Sequence, residues 1–260
     1  MARRPALSHD RIIEAAVRVA DRGGISQVSM RNVGKELGVE AMSLYHHLAG
    51  KDALLDGLAN WIFTQIELPD PQRPWRPAMA ERAESSRRAL SRHPWALGLV
   101  ESRRSPLPAL LRHHETVLAC LRRNGFPVTL ASHAFSAIDA YVYGFVLTEL
   151  NLPFEADGGA DGFVDEIRHA LPADEYPHLV EMITNQVVGR NYSYGDEFGF
   201  GLDLILDSLE RHLAGQRLPE DPRAGEADPR PRSGPAEPGP DAGVVSGPGA
   251  NAAGRRLGPP

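Results

Sequence analysis

The chain has 260 residues, 42% of them apolar and 24% charged, and a formal net charge of −6; this is a globular composition and excludes a collagenous or wholly disordered chain. Its single cysteine, Cys120, excludes an internal disulfide framework and fits a reducing cytoplasm. No apolar stretch approaches the roughly 20 residues of a membrane span, and MARRPALSHD has two arginines with no apolar core behind them, so neither a membrane role nor a secretory leader is expected.

Helical periodicity dominates from the start. Ser8 is a good N-cap for a helix that places Ile12, Ile13, Ala16, Val17 and Ala20 on one face and stops at Gly23-Gly24. A second short helix follows Ser29, with Met30, Val33 and Leu37 inward and Gly38 as its stop. A third is predicted over Glu40–Leu48, with Leu44 and Leu48 inward. A fourth begins after Gly50 and carries Leu54, Leu55, Leu58 and Ile62 towards Ile66. The segment LPDPQRPWRP, Leu68–Pro77, is a proline-rich break and a domain junction.

Beyond it, helices are predicted over Ala78–Arg92, Pro94–Glu101, Leu107–Asn124, Pro127–Leu152, Phe163–Leu171, Ala173–Gly189 and Tyr194–Ala214. No alternating strand pair and no internal repeat emerges, so the fold class is all-α. Pro219–Pro260 holds 10 prolines and 8 glycines in 42 residues. Such a segment cannot bury enough surface to offset the entropy of ordering, and it is expected to be a disordered tail. The predicted organisation is a head over 1–51, a connecting helix over 52–67, a helical body over 68–218 and the tail over 219–260.

The head carries the clearest functional pattern. The second helix, a three-residue turn of Gly38, Val39 and Glu40, and the third helix spell a helix-turn-helix. Val39 and Leu44 plug the angle between the helices. Ala41, Met42, Ser43, Tyr45, His46 and His47 are left facing away from the core. Ser and His hydrogen-bond base edges or phosphates, and Ala and Met meet a thymine methyl. Lys51 begins the fourth helix, beside a phosphate. Ser29 and Arg31 open the second helix, whose N-terminus also attracts phosphate. The charge distribution agrees, because eight bases against five acids give the first 51 residues +3 and leave −9 on the rest.

Other readings of the histidines fit less well. His46 and His47 are adjacent, so on a helix they point about 100° apart, whereas zinc-binding helices pair i with i+4. His113 and His114 fail for the same reason, so no metal and no cofactor is expected. No GxSxG or similar signature accompanies a histidine, so no catalytic site is expected either. A solvated helix face remains the bland alternative.

The stretches RIIEAAVRVADRGG, VSMRNVGKELGV and SLYHHLAGKDALLDGLA, in this order and spacing, resemble the DNA-binding domain of the TetR family of transcriptional repressors. Two further stretches, AFSAIDAYVYGFVL and FGFGLDLILDSLERHL, resemble the regulatory helices of the tetracycline repressor. The resemblance implies a homodimer that reads a palindromic double-stranded DNA operator and responds to a small-molecule effector. It makes Ser29, Arg31, Ala41, Met42, Ser43, Tyr45, His46, His47 and Lys51 the DNA-facing set, with Tyr45 and Lys51 on phosphates. Met42 stands where the tetracycline repressor has proline, and His46 where it has tryptophan, so a different operator is implied.

In the body, Leu202, Ile205, Leu206, Leu209 and Leu213 form one apolar stripe, and Ile138, Val142 and Phe145 another. Each serves a monomer core or, as the resemblance implies, a four-helix dimer interface. Ser132, Ser136, Asp139 and Tyr143 recur along the predicted Pro127–Leu152 helix as a polar stripe. They either pair within the protein or line an effector cavity, walled by Trp61, Ile62, Trp95, Val100 and Phe135. Ile66 or Glu67, and Val100, stand where the tetracycline repressor places magnesium-binding histidines. Arg82 and Ser86 stand where it grips the drug headgroup. A largely apolar effector without metal is therefore expected. The rival function class is an all-α small-molecule enzyme or binding protein with no DNA role.

Overall fold

The computed structural model describes residues 6–102, 107–152, 171–187 and 192–215. Among these the regular structure is helical: α1 (His9–Gly23), α2 (Met30–Leu37), α3 (Ala41–Leu44), α4 (Lys51–Thr64), α5 (Trp75–Arg92), α6 (Trp95–Ser102), α7 (Pro108–Arg123), α8 (Val128–Asn151), α9 (Pro177–Met182) and α10 (Glu197–Leu213). The chain through Leu218 forms one compact unit. The predicted Phe163–Leu171 helix falls almost wholly outside the described residues, and the tail of 219–260 wholly outside them.

The head is built as its punctuation demands. The Ser8 hydroxyl accepts from the Arg11 amide, and that of Ser29 from the Asn32 amide, so each caps a helix start. Gly38 closes α2 with φ 68° and ψ 35°, a left-handed conformation that favours glycine. The Val39 amide then donates back to the Gly34 carbonyl at 2.9 Å, which folds the turn tightly onto α2. Gly34 is the residue that permits this: a Cβ there would lie 2.9 Å from the Val39 carbonyl oxygen. Glu36 of α2 takes Arg18 and Arg22 of α1, and these hydrogen bonds, Arg18 foremost, hold its carboxyl below the usual range.

Two elements differ from expectation. The third helix is a single turn, Ala41–Leu44, and Tyr45–His47 continue as turn. Leu44 and Leu48 still anchor both ends of the segment in the core. The helix predicted at Ala173 begins only at Pro177, where proline fits the first helical position, and passes at Ile183 into a π turn.

α4 packs on α1, α6 and α7, so it belongs to head and body alike. In the body, α8 lies against α5, α7 and α10. By length and composition α8 is apolar enough to cross a membrane, contrary to the reading of the sequence. Its tertiary role is that of a core helix: Ile138, Val142, Phe145 and Val146 are buried in the chain, and Glu149 pairs with Arg87. Arg76 of α5 holds α10 through Asp203 at 3.0 Å and Asp207 at 2.7 Å. The α10 stripe of Leu202, Leu206 and Leu209 packs into this same core.

Gly34→Ala should destabilise the protein by about 1–3 kcal/mol, because a backbone carbonyl must move to make room. A Cβ added at Gly98 of α6, by contrast, would meet nothing within 4 Å. Gly98→Ala should therefore stabilise by up to about 1 kcal/mol through helix propensity. Thermal melts of the two variants check the contrast, and equal effects would contradict the tight turn.

Candidate functional site

The head presents an open surface around α3. Met42 is 71% exposed and Tyr45 50%, unusual for large side chains of these types. His46, His47, Arg31 and Lys51 are exposed, and Ala41 and Ser43 half-buried. Ser29 is half-buried, with its oxygen engaged by the Asn32 amide; its hydroxyl proton remains free to donate. Lys51 opens α4, whose N-terminus follows Gly50 at φ 117°. The head thus exposes donors, two imidazoles and a methionine on and around α3, with the N-termini of α2 and α4 nearby in sequence.

The residues expected to line an effector cavity lie on α4, α6 and α8. Trp61 and Trp95 stack with centroids 6.4 Å apart, and His93 stands edge-on to Trp61 at 5.0 Å. Ile62 lies fully buried in the core, and Val100 is half-buried. Phe135, Asp139 and Tyr143 are half-buried on α8, whereas Ser132 and Ser136 open outward. Phe135 and Asp139 contact residues of α5 and α7 instead of Trp61 or Trp95.

Asp139 instead belongs to a buried polar cluster with residues of α5 and α7. Arg82, 3% exposed, forms an ion pair with it. Arg82 Nε and Nη2 also reach His113 Nε2 at 3.0 and 2.8 Å. Two donors aimed at Nε2 require it to accept, which places the ring proton on Nδ1. Burial first, then the charge of Arg82 and the neighbouring His114, lower the His113 pKa to about 3, so the ring stays neutral. Arg82 Nη1 and His113 Nδ1 are buried and have no hydrogen-bond partner among the described residues. Each such orphan donor costs about 1–3 kcal/mol. Phe135 lies under the Arg82 guanidinium at 5.7 Å and against His114 at 4.7 Å.

A cleft of about 370 Å³ opens between α4 and α7, lined by Asn60, Phe63, Thr64, Ile66, Ala109 and Arg112 among others. Its Phe63 also lies against the His113 ring, at 5.7 Å. Among the described residues no group of three or more His, Cys, Asp or Glu could hold a metal.

A second polar link joins head to body. Asp21 of α1 accepts from Trp95 Nε1 at 2.6 Å and lies 2.8 Å from His93 Nδ1. Sequence reasoning missed this link and the role of His113. The available signals were polar residues at apolar positions: Arg82 among Ala78, Met79, Ala83 and Ala89, and His113 four residues before Val117.

The fold and this surface define a helix-turn-helix protein with a helical regulatory body. The chain belongs to the TetR family: residues 12–58 match "Bacterial regulatory proteins, tetR family", and residues 68–213 match "Tetracyclin repressor-like, C-terminal domain". It is similar to the HTH-type transcriptional repressor DrrR1 of Streptomyces coeruleorubidus, 34% identical, with 82% of this chain and 81% of that one covered. The class D tetracycline repressor of Escherichia coli is 31% identical over 55% of this chain and 66% of its own. Among solved structures, the TetR family protein ActR of Streptomyces coelicolor in complex with actinorhodin superposes with a TM-score of 0.66 and 26% identity, covering 81% of this chain and all of that one.

Two outcomes test these clusters. The folded His113 refuses a proton down to about pH 3 while the unfolded ring takes one near 6.5. Its contribution is therefore complete above pH 6.5 and is lost on acidification, at up to about 1.4 kcal/mol per pH unit. Denaturation midpoints across this window should show a shallower slope in His113→Leu than in the parent, and equal slopes would refute a neutral buried ring. Asp21→Ala strands the Trp95 N–H and should cost about 1–3 kcal/mol. It should also shift the tryptophan emission spectrum, and an unchanged spectrum and melt would exclude the link.

Proposed function

We propose that the protein is a cytoplasmic, ligand-responsive transcriptional repressor, which binds a palindromic operator as a homodimer and leaves it when a small, largely apolar effector enters the body. The carrying observation is the exposed face of α3: Met42 and Tyr45 stand in solvent while Leu44, between them, is fully buried. A segment anchored this firmly has no structural reason to expose a methionine and a tyrosine, but it suits a major groove. Tyr45 and Lys51 hold phosphates, together with Ser29, Arg31 and His47. Ala41, Met42, Ser43 and His46 read bases. The relatives, named as regulators, support this reading over an all-α enzyme.

The homodimer reading rests on α8 and α10. Phe200 is 67% exposed and Leu204 56%, with Leu147 and Leu150 also exposed on α8. These apolar residues lie opposite the faces packed in the chain's own core. A second copy covers them and supplies the two-fold symmetry that a palindrome needs. The boundaries are then a reading head over 1–51, a connector over 52–67 formed mostly by α4, and an effector and dimer body over 68–218.

Release passes through shared elements. Fourteen residues of α4 span about 20 Å, with Lys51 at the DNA end and Phe63 beside the cleft. Asp21 couples α1 to α6. An effector that binds best when α4 and α6 are displaced shifts the population away from the DNA-reading state.

Tyr45→Ala and Lys51→Ala should weaken binding to all duplexes, Lys51→Ala also lowering the salt slope by about one. Met42→Ala and Ser43→Ala should change sequence preference by roughly 1–3 kcal/mol per lost base contact. Leu204→Glu should yield a folded monomer with little operator affinity. Fluorescence anisotropy with operator DNA and sizing chromatography check these outcomes; parental behaviour in all five variants would refute the proposal.

A further inference from the structure

We infer that the cavity between α1 and α2 is a phosphate seat, which takes a DNA backbone phosphate flanking the bases read by α3. The inference rests on the DNA-binding reading above and adds a contact that the exposed face of α3 does not supply.

The cavity holds about 460 Å³, and Arg22, Gln27, Asn32, Lys35 and Glu36 stand in its wall. Its charge is one-sided. Glu36 spends one oxygen on Arg18 and the other on Arg22, and Lys35 makes no ion pair among the described residues. Three bases around one acid leave a surplus of two positive charges. Asp21, next to Arg22 in the chain, is turned to Trp95 and does not offset it. The ion pair also fixes the Arg22 guanidinium. It is held through Nη2, so its other nitrogens stay open to an incoming anion.

Neutral donors complete the wall. The Gln27 side chain lies over Gly23, where a Cβ would stand 2.7 Å from its Cγ. The Asn32 carboxamide donates to the Gln27 carbonyl at 2.8 Å, which ties the residues before α2 to its first turn. A guanidinium, an ammonium and a carboxamide around one space suit the several acceptor oxygens of a phosphate.

Placement decides the source of that phosphate. The rim of the cavity is the first turn of α2, which also carries Ser29 and Arg31. Lys35 follows Arg31 by four residues, so the two share a face and lie about 6 Å apart along the helix. Phosphates of one strand recur about every 3.4 Å along a duplex axis, so a strand that leaves Arg31 along α2 reaches Lys35 within about two nucleotides.

The test uses the full chain and a duplex that it selects from random sequence. The duplex is prepared in two lengths, one ending at the selected bases and one extended by half a helical turn on each side. Anisotropy titrations over a range of salt give affinity and salt slope. On the extended duplex Lys35→Gln should bind about fivefold to tenfold more weakly at about 0.1 M salt, with a slope lower by about one. On the short duplex it should match the parent, and Lys35→Arg should restore binding to the extended one. Gln27→Ala removes a neutral donor, so it should weaken binding to the extended duplex about twofold to tenfold with the slope unchanged. Parental binding by Lys35→Gln on the extended duplex would overturn the seat. An equal loss on both lengths would overturn it too, because that is a general charge effect. Adenosine monophosphate bound by the free protein through Lys35, with no length effect on DNA, would assign the cavity to a small anion instead. Failure to select any duplex would sink the DNA-binding reading and this one with it; a duplex bound by the parent without a length-dependent loss in Lys35→Gln sinks this one alone.

Discussion

A guanidinium cannot be buried alone. Arg82 is set into the apolar face of α5, and its charge must be met inside the protein. It is met from two directions, by Asp139 of α8 and by His113 of α7. Three helices of the body are therefore held in register by one side chain. The requirement is steep, because losing one partner of a buried pair costs about 3–5 kcal/mol. The same requirement keeps His113 neutral, since a second cation beside Arg82 would be repelled as well as desolvated.

The arrangement is complete in charge and incomplete in hydrogen bonds. Asp139 and the imidazole engage two of the three guanidinium nitrogens and leave one nitrogen unpartnered on each of Arg82 and His113 among the described residues. An apolar core of the same shape would hold the helices together without that cost. Around the cluster the walls are aromatic, so shape and polarity act together.

Head and body are joined by α4, which packs on α1, α6 and α7, and by a polar link at Asp21. Asp21 is held by Trp95 and lies beside His93, and α4 runs from Lys51, just past α3, to the cleft. The Asp21 link consists of few atoms with definite geometry, so a small displacement of α6 re-aims it. The recognition segment itself is short. One helical turn anchored by Leu44 and Leu48 has little stability of its own, and the turn fixed by Gly34 and Gly38 holds it. The helix-turn-helix is thus a tertiary object, legible as a pattern and stable only in place.

By itself, the sequence determined the helices, their caps and stops, the helix-turn-helix and the residues turned outward from it. These follow from local rules: Ser8 and Ser29 cap, Gly38 turns left-handed, and apolar residues repeat along one face. It overstated the third helix, because periodicity does not reveal that backbone hydrogen bonding changes after Leu44. It left open whether Asp139 pairs within the protein or lines a cavity, because helical spacing says which residues share a face but not which helices meet. Only the tertiary structure decided that Asp139 turns to Arg82 and that His113 accepts from it. Only it decided that Asp21 meets Trp95, and that Leu206 packs inward while Leu204 is exposed. These pairings join residues 31 to 74 positions apart. Such distances are closed by the packing of whole helices, and no local propensity encodes them.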